Sequence, residues 1–172
     1  MTEFIAKAKL FAVAAHSAID QRRKYTNAPY WYHCASVANL VAREGGNERM
    51  IAAAWLHDVV EDTKIELDMI EKIFGTGVAY LVGMLTDNET GNRKERKRLS
   101  RIRLGNACAE VQTIKLADLI DNTKTIAQYD PEFAKVYMQE KRELVDVLIK
   151  GDRTLWQMAN QQLDDYFKGQ EA

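Results

Sequence analysis

The sequence has few of the residues that mark secreted, fibrous or membrane-spanning proteins. It contains two cysteines and two prolines in 172 residues, so it has no disulfide framework, and a reducing compartment suits it best. No apolar run approaches the roughly 20 residues that a membrane span requires. Residues 1–9 include one acid and two lysines, which is unlike a signal peptide. We therefore expect a cytoplasmic protein with no membrane association.

Alternation of apolar and polar residues, the pattern typical of β-strands, is also scarce. Alanine, leucine, glutamate, lysine and glutamine are frequent instead, and apolar residues recur three and four positions apart, which predicts an all-α fold. Because no repeat, low-complexity tract or linker interrupts the chain, we expect one compact domain over residues 1–172. The predicted helices cover residues 2–22, 32–44, 49–60, two short segments around 75–77, a segment from 93, then 110–128, 131–150 and 152–167. The side chains predicted to face the core from the first helix are Phe4, Leu10, Phe11 and Ala14.

The chain also has no large excess of positive or negative charge. The 24 basic and 25 acidic residues give a net charge of −1, which argues against a protein that coats nucleic acid. Residues 93–103 nevertheless hold seven lysines and arginines and one acid. This segment could be a solvated helix face or could attract a phosphorylated substrate through Lys97 and Arg98. Nucleic-acid binding is the least favoured interpretation, because the segment has no aromatic residue on which bases could stack.

Only three histidines occur, and one of them stands among acids. His57 and Asp58 directly follow the apolar run 51–56, and Glu61 and Asp62 come about one turn later. Helical spacing predicts that these side chains share one broad face. Carboxylates crowded beside a buried segment are unfavourable unless something pairs with them. The helix therefore either reaches solvent here or holds a divalent cation.

Two residues elsewhere in the chain could complete such a metal site. His33 lies at the start of the second helix, and Asp118 interrupts an otherwise apolar helical face. With His57 and Asp58 they offer two imidazoles and two carboxylates, a set that suits Mn²⁺, Fe²⁺ or Zn²⁺ and leaves room for the water that metal-assisted hydrolysis requires. We interpret His16, the remaining histidine, as a structural residue or one at the rim of the site rather than a metal ligand.

Two longer strings carry a family resemblance. The string HDVVEDT at residues 57–63 resembles the HDxxEDT pattern of RelA/SpoT-type (p)ppGpp hydrolases, a branch of the HD-domain phosphohydrolases. The string KLAD at residues 115–118, with Asn122, resembles the KLADxxxN pattern of the same family. The resemblance covers most of residues 16–150, and the chain is similar to the stand-alone small alarmone hydrolases, including the animal SpoT-homologue type.

The resemblance implies an HD-domain fold and an enzyme of the stringent response that removes the 3′-pyrophosphate of (p)ppGpp, giving GDP or GTP and pyrophosphate. It implies one Mn²⁺ per chain, bound by the four candidate ligands. Glu61 and Asp62 would position and deprotonate the attacking water. Arg23 and Lys24 would pack along the guanine base, and Asn122 would contact the nucleotide near its ribose.

Other functions stay open on the sequence. The same metal site could act on another nucleotide, such as a pppApp-like alarmone, the 2′-phosphate of NADPH or a nucleoside monophosphate. A module that binds an alarmone or nucleic acid without hydrolysis is a third hypothesis, against which the Glu61–Asp62 pair argues. The sequence is compatible with starvation signalling, with neutralisation of a toxic alarmone synthetase, and with any oligomeric state.

Overall fold

The computed structural model describes residues 1–170, which form ten α-helices and, within that range, no β-strand. The all-α prediction is therefore confirmed. The described chain divides into two compact units, Met1–Asn88 and the part that begins at Glu89. None of the helices within residues 1–170 is long and apolar enough to cross a bilayer.

The first unit is built around one short, alanine-rich helix. That helix, α3, packs against α1, α2 and α6, and Ala52, Ala53 and Ala54 are completely buried in these contacts. Small side chains let helix axes approach closely. Two helices have side-chain caps at their N-termini. The Thr2 side chain accepts from the backbone N–H of Ile5 at the start of α1, and the Asn47 side chain accepts from that of Met50 at the start of α3. The helices of this unit are α1 (Glu3–Ala18), α2 (Trp31–Arg43), α3 (Glu48–Leu56), α4 (Val59–Asp62), α5 (Leu67–Phe74) and α6 (Thr76–Leu85).

The buried face of α1 differs from the prediction. Leu10 is 68% exposed and Ala14 is also exposed, so the prediction was wrong for both. Phe4 and Phe11 do pack inward, edge-on against the Phe74 ring. The buried residues recur three and four positions apart along one stripe of α1, and Leu10 and Ala14 lie on the opposite side of the helix. The buried residues of α1 are Ile5, Ala8, Ala12, Ala15 and His16.

The second unit is organised around α8, its longest helix. The helices of this unit are α7 (Arg93–Asn106), α8 (Ala109–Tyr129), α9 (Pro131–Val145) and α10 (Arg153–Gln170), and α8 contacts each of the other three. The fully buried Gln112 donates from Nε2 to the carbonyls of Leu104 and Gly105 and accepts from the Lys150 amide. One side chain thus joins the end of α7, the start of α8 and the segment before α10.

The turn before α10 comes very close to α8. A Cβ atom at Gly151 would lie 2.6 Å from Leu116 Cδ1 and 3.1–3.2 Å from backbone atoms of residues 112 and 113, so only glycine fits there. The predicted break at this glycine is confirmed. The preceding helix ends at Val145 rather than at residue 150, because the chain turns early to make this contact.

Candidate metal centre

The helix that carries His57 is interrupted where the candidate ligands begin. The sequence predicts one helix over residues 49–60, but α3 ends at Leu56 and α4 starts at Val59. Asp58 stands at the junction with φ −100° and ψ −3°. Adjacent residues of a straight helix point about 100° apart, whereas this break lets His57 and Asp58 turn toward one point.

The first unit brings three of the four predicted ligands together. His57 Nε2 lies 3.2 Å from His33 Nε2 and 3.0 Å from Asp58 Oδ2, and the distance from His33 Nε2 to Asp58 Oδ2 is 3.5 Å. The two histidines are 1% and 2% exposed, while the Asp58 side chain keeps 18% of its surface. The three donor atoms therefore converge on one point. The two imidazoles are buried, and the group reaches solvent only on the Asp58 side.

The hydrogen bonds of the group suit a bound cation. His57 Nδ1 lies 2.8 Å from the Ala54 carbonyl oxygen, which can only accept, so Nδ1 carries the proton and Nε2 offers a lone pair. A carbonyl that fixes the tautomer in this way is the usual partner of a metal-binding histidine. Two imidazole nitrogens and a carboxylate oxygen within 4.8 Å of one another can hold a divalent ion. The residues present therefore fit a metal.

Electrostatics keep Asp58 ionised. Burial by itself would raise the pKa of this carboxyl, but without a metal, protonated His57 and His33 rings hold it well below its usual range through their charges and hydrogen bonds. The Tyr30 hydroxyl also donates to Asp58 Oδ2 at 2.7 Å. Asp58 is thus an anion with fixed orientation, as a metal ligand must be.

The two predicted catalytic acids lie on α4, which follows Asp58 directly. His33, His57 and Asp58 are called the metal group below. Glu61 Oε2 accepts from the Asp87 amide at 2.9 Å, and Asp62 Oδ2 accepts from Gln21 Nε2 at 2.9 Å. Partial removal of water raises the pKa of Asp62, the nearby Asp58 charge raises it further, and the Gln21 hydrogen bond partly opposes both effects. Both acids are therefore held in place at the surface, and Asp62 binds protons more readily than an ordinary aspartate.

The predicted base-binding residues lie in the loop that leads to Tyr30. The Arg23 amide donates to the Ala28 carbonyl at 2.8 Å, and the Arg23 carbonyl accepts from the Asn27 amide at 3.0 Å. Asn27 has a φ of +55°, a left-handed conformation that asparagine tolerates well. Lys24 Nζ lies 4.7 Å from the centre of the Tyr25 ring, so this loop presents a cation and an aromatic face side by side.

The second unit holds the fourth predicted ligand. Asp118 is 4% exposed on α8, where Oδ2 pairs with Lys115 Nζ at 2.8 Å and Oδ1 accepts from Asn122 Nδ2 at 2.5 Å. A buried aspartate at this position is expected to need a polar or charged partner, and these two neighbours on the same helix provide one. Hydrogen-bonded carboxylates are also the rule among metal ligands, so the prediction for Asp118 stays a prediction.

The basic segment forms α7, as predicted, and pairs largely with acids of its own unit. At least four of its seven basic residues bind glutamates, among them Arg93 with Glu140 and Arg98 with Glu95. Lys97 lines a cavity of about 650 Å³ between α7 and α9. Much of the segment is thus an ion-paired structural face, and phosphate binding by Lys97 and Arg98 stays a prediction.

Sequence reasoning overlooked the residues that orient the site. Tyr30 and Gln21 carry the hydrogen bonds to Asp58 and Asp62, and Lys115 pairs with Asp118. Lys115 precedes Asp118 by three residues, so helical spacing could have indicated it, whereas Tyr30 lies 28 residues from Asp58. Gln21 lies 41 residues from Asp62, and no local signal connects them.

Comparison with known proteins gives consistent results. Residues 8–147 match the family model described as HD domain. The chain is 33% identical to guanosine-3′,5′-bis(diphosphate) 3′-pyrophosphohydrolase MESH1 of Xenopus tropicalis, over 96% of this chain and 94% of that protein. It is 35% identical to the protein of the same name from Homo sapiens, over 92% of this chain and 87% of that one.

A solved structure agrees with these sequence matches. It is that of a metazoan ortholog of SpoT, a protein that hydrolyzes ppGpp and plays a role in starvation responses. The two structures superpose with a TM-score of 0.88 and 28% identity, covering 96% of this chain and 97% of the other. The likeness thus extends over nearly the whole of both chains.

Proposed function

Because the chain belongs to the HD-domain family, in the branch of its MESH1 relatives, we propose that it removes the 3′-pyrophosphate of guanosine alarmones, (p)ppGpp. Water would attack the phosphorus bonded to the ribose 3′ oxygen, that bond would break, and the products would be GDP or GTP and pyrophosphate. The observation that carries the proposal is the buried His33–His57–Asp58 group, followed one turn later by Glu61 and Asp62. It combines a metal site with acids able to move a proton.

The cofactor in this proposal is one Mn²⁺ per chain. His33, His57 and Asp58 would hold it in the first unit, and the sequence pattern around Asp118 makes that residue the fourth proposed ligand. Bound there, the cation would supply Lewis-acid catalysis, polarising a phosphate and acidifying a water molecule. Reconstitution of metal-free protein with Mn²⁺, Fe²⁺, Zn²⁺ or Mg²⁺ tests the choice of ion, and we expect the highest rate with Mn²⁺.

The protein groups that would move the proton are Glu61 and Asp62. A base works best when its pKa lies near the working pH, and the raised pKa of Asp62 brings it closer to that range. Glu61, held by the Asp87 amide, would orient the water. Replacing either acid by its amide should lower kcat by about 10²–10⁴-fold and leave metal content unchanged. Asp68→Asn, at an exposed acid on α5, is the matched control.

Five polar or basic residues are the proposed nucleotide contacts. Arg23 and Lys24 would lie along the guanine, Asn122 would contact the ribose, and Lys97 and Arg98 would bind phosphate. An exposed ion pair contributes little stability, so Arg98 could leave Glu95 for a phosphate at small cost. Alanine at Arg23 should mainly raise KM. Alanine at Lys97 should mainly weaken the dependence of kcat/KM on salt.

We also propose that residues 1–172 act as one HD-type domain in the cytoplasm. The family match spans both compact units, which supports their acting together. Both cysteines are free thiols, and Cys34 is buried, which suits a reducing compartment.

The decisive experiment is incubation of the purified protein with ppGpp and Mn²⁺, with separation of GDP and pyrophosphate. We expect both products in equal amounts, and their loss together with the metal in His57→Ala. A panel containing pppApp, NADPH and nucleoside monophosphates measures preference. If folded, Mn²⁺-loaded protein released no pyrophosphate from ppGpp, the proposal would be wrong.

A further inference from the structure

A completely buried histidine next to the metal group has no role in the proposal above. His16 lies in the last turn of α1, and its Nδ1 is 2.6 Å from Gln21 Oε1. Its other ring nitrogen, Nε2, is buried and has no hydrogen-bond partner among the described residues. Buried polar atoms nearly always have partners, so an exception calls for an explanation.

The direction of the hydrogen bonds supplies that explanation. Gln21 contacts His16 with one end of its amide and Asp62 with the other. An ionised carboxylate only accepts, so the amide nitrogen faces Asp62 and the amide oxygen faces His16. His16 must then carry its proton on Nδ1. The buried Nε2 holds only a lone pair, so no donor is left unsatisfied there.

The backbone fixes the same residues a second time. The backbone N–H of Gln21 donates to the backbone carbonyl of His16 at 3.0 Å. The backbone N–H of Tyr30 donates to the backbone carbonyl of Gln21 at 3.0 Å. The His16 ring also packs against the Tyr30 ring, with 5.0 Å between centres. Since Tyr30 donates to Asp58, Gln21 connects the end of α1 to both the metal group and α4.

We propose that His16 and Gln21 are positioning residues, which hold the Asp62 carboxylate in the orientation required for proton transfer. The inference rests on the proposed function, in which Asp62 is the base. Asp62 is the last residue of a four-residue helix and lies at the surface, so its own helix restrains it little. His16 cannot exchange a proton through an amide. Its contribution is to fix which end of Gln21 faces Asp62.

The first test compares two replacements of His16. His16→Leu removes the donor, whereas His16→Asn keeps an N–H close to the position of Nδ1. We expect kcat to fall about 10- to 100-fold in His16→Leu, with KM within about twofold and metal content unchanged, and to recover most of its value in His16→Asn. Ser17→Ala, on the exposed side of the same turn, is the matched control. Equal activity of the leucine variant and wild type, or an equal loss in both variants, would overturn the inference.

A second variant covers the case in which His16→Leu does not fold. Gln21 lies at the edge of the structure rather than in the core, so Gln21→Ala should keep the thermal unfolding profile. We expect the same loss of kcat with little change in KM. An unchanged kcat in this variant would overturn the inference as well.

A spectroscopic test needs no activity. In ¹⁵N-labelled protein loaded with a diamagnetic divalent ion, long-range ¹H–¹⁵N spectra report which ring nitrogen carries the proton. We expect Nδ1–H at His16, and an Nε2–H tautomer would overturn the inference even if the enzyme is active. If the tautomer is as expected but wild type releases no pyrophosphate from ppGpp, the proposed function fails, and the catalytic purpose of this pair fails with it.

Discussion

The hydroxyl of Tyr30 provides a direct test of how the metal group is held. It donates to Asp58 Oδ2 at 2.7 Å, while its ring packs against His16 and His33 with 5.0 and 5.5 Å between centres. Tyr30→Phe deletes one oxygen and keeps the ring. The variant thus removes the hydroxyl's hydrogen bond to a proposed ligand without opening a cavity.

The size of the effect follows from the nature of that bond. A hydrogen bond to a charged group contributes about 1.5–3 kcal/mol, and loss of a group that orients a metal ligand typically lowers affinity by about 10- to 100-fold. These ranges agree, because about 1.4 kcal/mol corresponds to a tenfold change. Asp58 retains some exposure to water, which can replace part of the lost bond. We therefore expect Mn²⁺ affinity to fall toward the lower end, about 10- to 30-fold.

Competition titration with a fluorescent chelator measures the Mn²⁺ dissociation constant of wild type and variant. Tyr32→Phe is the control, because Tyr32 is a neighbouring and largely exposed tyrosine. At saturating Mn²⁺ the Tyr30→Phe enzyme should recover most of its kcat. An affinity equal to or tighter than that of wild type would refute the reasoning, since the hydroxyl would then only compete with the cation for Asp58.

Three further predictions concern stability and pH. Adding Mn²⁺ to chelator-treated protein should raise the melting temperature, since about 2.7 kcal/mol is gained at a concentration 100 times Kd; an unchanged melting temperature contradicts a metal site. Gln112→Leu should lower the free energy of unfolding by about 2–4 kcal/mol in urea titrations, because two carbonyls and an amide lose their buried partner, and a change below about 0.5 kcal/mol contradicts this. The rate of ppGpp hydrolysis should fall on the acid side as Asp62 takes up a proton, and Gln21→Ala should move that fall to higher pH, because Gln21 lowers the pKa of Asp62. A fall that stays in place or moves to lower pH would contradict this assignment.

Local sequence signals predicted most helices correctly. Asn47 caps α3, and Pro131 occupies the first turn of α9, as expected. Errors arose where a distant contact overrides the local pattern. The helical pattern continues beyond Val145, but the chain turns there to pack Gly151 against α8. Leu10 was predicted to face the core, but it lies on the side of α1 opposite the buried residues.

The chemistry of the site was readable in the sequence, but its geometry was not. Imidazoles and carboxylates at residues 33, 57 and 58 indicate a divalent metal by their types alone. The break between Leu56 and Val59, which turns two adjacent ligands toward one point, leaves no trace in the helical periodicity. Gln21 is an ordinary polar residue until folding brings it beside Asp62.

The sequence by itself determined the all-α class, the family and the kinds of ligand, because helix periodicity and ligand chemistry depend on residue type and short spacing. The tertiary structure alone decided which side chains orient those ligands. Tyr30, Gln21 and His16 act through hydrogen bonds and ring contacts, two of which span 28 and 41 residues. Such contacts depend on how α1, α3 and α4 pack, and packing is a property of the whole first unit.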